Sequence, residues 1–188
     1  MAQTIAECYA AEGCLLGSFF FLRGAGECSH ISRLIPTLAH QISRIVPGTK
    51  PLIESAIEDE PALLESTLSL AHRLQRFIIE PICLNTSQLS FCFKNVSRSL
   101  KKNIVVIDGL DECDDKAEMA DFLSVLLSAS SGGTCLPFQF LLTSRVEEHI
   151  QKKFDGSEAS FCTVWNYKIL MLVKTRPCKN LWHQELMV

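Results

Sequence analysis

The sequence predicts an α/β fold built on a parallel sheet with helices on both faces. Two short runs carry most of that prediction: Asn103 to Asp108 (NIVVID) and Phe138 to Thr143 are apolar without polar alternation, the pattern of strands covered on both sides. A third run, LLGSFFFLR over 15–23, is too aromatic for a surface helix and too short for a buried one. Segments with helical spacing lie between these runs, and the connections are too long for hairpins, so strands and helices alternate.

Each element has its own local reason. Residues 2–12 (AQTIAECYAAE) are rich in Ala and meet no breaker before Gly13, which predicts a helix. After the 15–23 strand and a Gly24-Ala25-Gly26-Glu27 loop, Ser29 is placed to cap a helix. Its apolar positions Ile31, Leu34, Ile35, Leu38, Ile42, Ile45 and Val46 share one face. Pro47-Gly48 ends it. Helices are expected at Pro51 to Glu58 and Leu63 to Ile79, with Pro61 and Pro81 as boundaries. Residues 84–102 are polar, with Lys94, Arg98, Lys101, Lys102 and no acid, and read as a loop. Helical spacing returns over Lys116 to Ser130 at Met119, Phe122, Leu123, Leu126 and Leu127, and again over Arg145 to Phe154. A further strand is expected within Val164 to Val173.

Composition bounds the function. A chain of 188 residues with 47% hydrophobic and 21% charged residues can form one domain with a sizeable core, and neither a disordered nor a fibrous chain has this make-up. The net charge of −3 lacks the basic footprint of a nucleic-acid binder, so no nucleic-acid partner is expected. Apolar runs fall far short of the ~20 residues of a membrane span, and the start Met-Ala-Gln-Thr-Ile-Ala-Glu carries no basic leader; no membrane partner and a cytoplasmic location are expected. Nine cysteines include no Cys-x-x-Cys pair, and none stands at zinc-finger spacing from a histidine, so they read mostly as small buried hydrophobes.

The chemistry concentrates in residues 104–115, IVVIDGLDECDD. A buried strand ends at Asp108, and Asp111, Glu112, Asp114 and Asp115 follow within seven residues. Carboxylates so close repel unless solvated or neutralised by a cation, and the C-terminal ends of parallel strands are where α/β sheets bind ligands. Mg2+ fits better than Ca2+, because it keeps waters and needs only one or two carboxylates plus substrate phosphates, whereas Leu110 spoils an EF-hand loop. The alternative is an acidic turn in which Asp114 or Asp115 caps the next helix. FQFLLTSR supplies a second strand ending of the same kind, with Thr143, Ser144 and Arg145 at the same edge, and arginine suits phosphate.

These residues carry a resemblance. VIDGLDEC resembles the Walker B motif of NACHT-type nucleotide-binding domains, in the STAND class of P-loop NTPases, and FLLTSR resembles their sensor 1 strand. The ordered run FFFLRG, LIPTLAHQI, VPGTKPLIESAI, LQRFIIEPI, VIDGLDEC, LPFQFLLTSR is similar to fungal NACHT proteins, including those called nephrocystin-like at the N-terminal domain. The resemblance spans about residues 2–83 and 103–154. It implies a three-layer P-loop NTPase-like sheet, Mg2+ with ATP or GTP, and a signalling switch that self-associates or meets related NACHT proteins. By the same resemblance Asp108 holds magnesium through water, Asp111 and Glu112 polarise the attacking water, and Ser144 and Arg145 meet the nucleotide, Arg145 as sensor of the terminal phosphate.

The chain also departs from that pattern. The phosphate cradle Gly-x-x-x-x-Gly-Lys-Ser/Thr occurs nowhere in it, nor does any Gly-Lys pair. In the family the cradle precedes a helix similar to Ala-Gln-Thr-Ile-Ala-Glu, so residues 1–154 are expected to be a partial NACHT domain lacking its first strand, with impaired nucleotide binding and hydrolysis. Residues 84–102 and 155–188 are an atypical insertion and tail, read either as translated intron or as lineage-specific additions. The competing function is a non-catalytic regulatory fragment that docks on a full-length relative. A stand-alone metal-dependent phosphatase is disfavoured, since one acidic cluster brings neither a nucleophile nor a second ligand set.

Overall fold

A computed structural model describes residues 2–65, 68–85, 103–131, 138–154, 162–165 and 169–173. Five strands, β1 (Leu15–Phe20), β2 (Ile104–Asp108), β3 (Gln139–Ser144), β4 (Cys162–Trp165) and β5 (Ile169–Val173), join in one sheet in the order β1-β2-β3-β5-β4. The first three are parallel, as expected. β5 runs antiparallel to β3 and to β4, so the whole sheet is mixed, and the single strand expected within Val164 to Val173 is two.

Side chains of the parallel strands divide between two clusters, and that division explains why the runs lack polar alternation. Val105, Ile107, Phe140 and Leu142 face one apolar cluster, while Ile104, Val106 and Leu141 face a second. All seven are at most 4% exposed. The second cluster is covered by helix α1 (Ala2–Ala11) through Ala2 and Ala6. The first is covered by α2 (Leu34–Ile45), α3 (Thr49–Asp59), α4 (Leu70–Leu74), α5 (Lys116–Ser131) and α6 (Glu148–Phe154). Parallel strands that step in one direction place their crossover helices on one face, which accounts for the unequal split. In β1 the register shifts between Leu15 and Gly17, so that Leu16 and Phe19, three apart, enter the same cluster.

Several boundaries differ from expectation. The first strand stops at Phe20, because the chain turns at Leu22–Ala25. Ser29 caps no helix: it lies at the end of a 3-10 turn, Gly26–Ser29, and a second turn, Ile31–Arg33, intervenes before α2. Its buried hydroxyl is committed elsewhere, 2.5 Å from Asp114 Oδ2 and 2.8 Å from the Gly26 carbonyl oxygen. The expected 63–79 helix is broken, with a 3-10 turn at Pro61–Leu64 and α4 starting only at Leu70, where Ser69 Oγ accepts the His72 N–H. Helix continues past Pro81 to residue 85, because the preceding turn, Gln75–Ile79, is π-helical. That wider turn relieves the clash of a proline ring with the carbonyl four residues back. Residues 84–85 of the expected loop are therefore helical, and 86–102 lie outside the described residues. α6 begins at Glu148 rather than Arg145.

One charged side chain crosses the core. Arg73 is 2% exposed, and its Nε and Nη2 donate to the carbonyl oxygens of Leu63 and Ser32 at 3.2 and 3.3 Å, tying α4 to the 3-10 turn before it and to the one that precedes α2. Among the described cysteines, Cys14 and Cys113 are buried and Cys83 is half-buried, whereas Cys8 and Cys28 are exposed. Burial pushes the Cys83 and Cys113 thiols up, disfavouring the thiolate. Among the described residues no helix is long and apolar enough to cross a membrane.

Candidate functional site

The C-terminal ends of β1, β2 and β3 form one edge, and the acidic loop after β2 crosses it. Gly109 starts that loop at φ +74, where a side chain is strained, and an added Cβ would stand 3.0 Å from the Phe21 carbonyl oxygen. The turn Leu110–Glu112 that follows sends Leu110 and Asp111 inward.

Asp108, the last residue of β2, is half-buried, and its Oδ1 accepts the Thr143 hydroxyl from β3. Thr143 Oγ1 in turn lies 3.4 Å from the Gly109 N–H that donates to it. Asp111 is 4% exposed, and its Oδ1 accepts the Arg145 backbone N–H at 2.8 Å. The Ser144 hydroxyl lies 3.3 Å from that same oxygen and 2.7 Å from the Arg145 carbonyl oxygen, so its one hydrogen goes to one or the other. Arg145 itself is 75% exposed, with Nε 3.6 Å from Asp111 Oδ2 and Nη2 3.9 Å from Glu112 Oε1. Both distances exceed a hydrogen bond.

All five residues expected at the site, Asp108, Asp111, Glu112, Ser144 and Arg145, thus gather at one edge. The other two carboxylates of the cluster do not join them. Asp115 caps α5, its Oδ1 accepting the Glu118 N–H at 2.9 Å, and Asp114 accepts from Ser29. The capping alternative therefore describes Asp115. Two residues escaped the sequence reading. Thr143 lies at the expected edge but carries no expected role, and Arg23, exposed just after β1, has no partner that the FFFLRG run reveals. In the fold Arg23 donates its backbone N–H to Glu112 Oε2 at 3.2 Å and Nη2 to the Asp111 carbonyl oxygen at 2.7 Å. No spacing in the sequence could reveal a contact across 89 positions.

His149 on α6 lies nearby, 20% exposed, its Nδ1 3.9 Å from Glu147 Oε2. Burial and then the Lys116 ammonium hold its pKa below the ordinary value, against the opposing pull of Glu147 and Asp111. Among the described residues no three His, Cys, Asp or Glu side chains converge as a metal cage.

Fold and edge together define an α/β protein whose parallel strands end in interlocked carboxylates and arginines. A family model described as Nephrocystin 3, N-terminal, matches residues 1–145, and the chain belongs to that family. No curated protein and no solved structure matches it significantly.

Proposed function

We propose that the chain is part of a NACHT-type nucleotide-responsive domain of P-loop ancestry, in which phosphate groups meet the edge formed by β1, β2 and β3. The observation that carries this reading is the meeting of Asp108, Asp111, Glu112, Ser144 and Arg145, drawn from two parallel strands, at the end of the sheet where α/β folds take ligands. Membership of the nephrocystin-type family supports it.

The donor set suits one kind of cation. In this reading the Asp108 carboxylate, at the end of β2, would hold Mg2+ through water, with nucleotide phosphates completing the coordination. Bound there, Mg2+ would neutralise phosphate charge. The chain's own residues do the rest: Thr143 orients the Asp108 carboxylate, Glu112 is the less buried acid of the loop and faces Arg145, and the exposed Arg145 guanidinium meets the terminal phosphate.

Affinity is expected to be low. The sequence contains no glycine-rich cradle with its lysine, and such a loop supplies several hydrogen bonds to charged phosphate worth roughly 1.5–3 kcal/mol each, out of about 8 kcal/mol for micromolar binding. Calorimetry of this 188-residue chain with Mg-ATP is expected to give a dissociation constant weaker than about 10 μM, and a tighter one refutes the impairment.

A further inference from the structure

We infer that Arg23 is a second phosphate-binding residue of this edge, facing Arg145 across Glu112 to form a two-sided guanidinium clamp. The inference rests on the reading above, that phosphate meets the edge, and assigns to the site a side chain from the turn that follows β1.

Both arginines converge on the same two acids. Asp111 offers its carbonyl oxygen to Arg23 at 2.7 Å and its carboxylate to Arg145 at 3.6 Å. Glu112 offers Oε2 to the Arg23 backbone N–H at 3.2 Å and Oε1 to Arg145 at 3.9 Å. One carboxylate therefore stands between the ends of β1 and β3, with a cationic residue on each side. Among the described residues the Arg145 guanidinium makes no close hydrogen bond, and Arg23 commits a single Nη2 contact, to an uncharged carbonyl oxygen. Both residues are exposed. The Arg145 guanidinium, held loosely by carboxylates, is positioned to exchange them for a stronger anion, the Arg23 guanidinium is anchored by one Nη2 to a neutral carbonyl, and a phosphate chain offers several oxygens to both forks.

The arrangement also fixes what Glu112 does before ligand arrives. Asp108, Asp111 and Glu112 bring three negative charges against two positive ones from Arg23 and Arg145, so the edge carries a local negative excess that opposes indiscriminate phosphate binding. Phosphate binding must displace Glu112 from Arg145. Removing the Glu112 charge should therefore tighten phosphate binding, the reverse of what a supporting ligand would do.

Amide chemical-shift titration of the full chain with inorganic tripolyphosphate, without metal, tests this. The amides of Arg23, Glu112 and Arg145 are expected to move together. Arg23→Gln, which keeps a donor for the Asp111 carbonyl and removes the charge, is expected to weaken binding about tenfold, as is Arg145→Ala. Glu112→Gln is expected to tighten it about threefold. Unchanged thermal unfolding of Arg23→Gln and Arg23→Lys ties the loss to charge, with Arg23→Lys retaining part of the affinity. If Arg145→Ala weakens binding and Arg23→Gln does not, the clamp is wrong and the phosphate edge stands. Should tripolyphosphate leave the edge amides unmoved in the wild-type chain, both fall.

Discussion

Asp111 and Glu112 are neighbours in sequence and unequal in structure. Asp111 is 4% exposed and receives the Arg145 N–H, whereas the Glu112 side chain is 26% exposed. A buried acceptor whose removal orphans its donors costs about 1–3 kcal/mol, and a partly exposed ion pair contributes less than about 1 kcal/mol. Urea unfolding should therefore show Asp111→Ala clearly destabilised and Glu112→Gln nearly unchanged. Equal losses would contradict the assignment of Asp111 as the pin between the β2 loop and β3. The sequence placed both acids at the right edge but ranked them alike, because the turn that buries one and exposes the other is set by Gly109 and by the Phe21 backbone it passes. His149 belongs to the same scale. Its pKa lies below the ordinary value in the fold, so as pH falls below about 6.5 the unfolded chain takes up the proton first. Folding stability should decline with acidification until the folded-state pKa is passed, and no contribution remains above the ordinary value. Comparing urea midpoints of the wild type and His149→Gln between about pH 7.5 and pH 5 isolates this, with the difference growing toward acid. A constant difference would dismiss the histidine as a source.

At the scale of elements, β1 shows how an edge strand is closed without another strand. Gln41 on α2 accepts the Ser18 backbone N–H through Oε1 at 2.7 Å and donates Nε2 to the Ser18 carbonyl oxygen at 3.0 Å. The amide thus imitates a neighbouring peptide group, and Gly17 leaves it room, since a Cβ there would lie 3.0 Å from Oε1. Gln41→Ala is expected to cost about 1–2 kcal/mol and to promote self-association through the uncovered edge, read by denaturation and by light scattering. A variant as stable and monomeric as the wild type would show that water serves Ser18 equally well. Much of the element plan was legible. Val105, Ile107, Phe140 and Leu142 announced buried strands, and the spacing of Leu34, Ile35, Leu38 and Ile42 announced α2. The misses share a cause: Ser29 and Pro81 carry strong local signals that tertiary structure overrode, one through Asp114 from 85 residues away and the other through a π-helical turn. Likewise the convergence of Arg23, Glu112 and Arg145 needed three strand ends in register, which no local pattern encodes.

For the whole molecule, the decisive pairing is that of β5 with β3. Five register pairs, from Phe140↔Val173 to Ser144↔Ile169, cover the side of β3 that faces away from β2, and β4 then covers β5. Without that hairpin the backbone groups of a strand as apolar as FLLTS would lie open. Deleting residues 155–188 is expected to increase self-association relative to the full chain, measured by sedimentation. A monomeric deletion variant with cooperative unfolding would show that the rest of the sheet tolerates an open edge. The register of the parallel strands has a further, kinetic consequence. Val106 pairs with Leu141 across about 35 residues of chain and with Ser18 across about 88, so closing the second loop costs about 0.8 kcal/mol more in chain entropy. The unit β2, α5 and β3 is the cheaper nucleus, and it already contains Asp108, Asp111, Glu112, Ser144 and Arg145. In that order of events the acids and one arginine assemble first, and Arg23 arrives only when β1 docks.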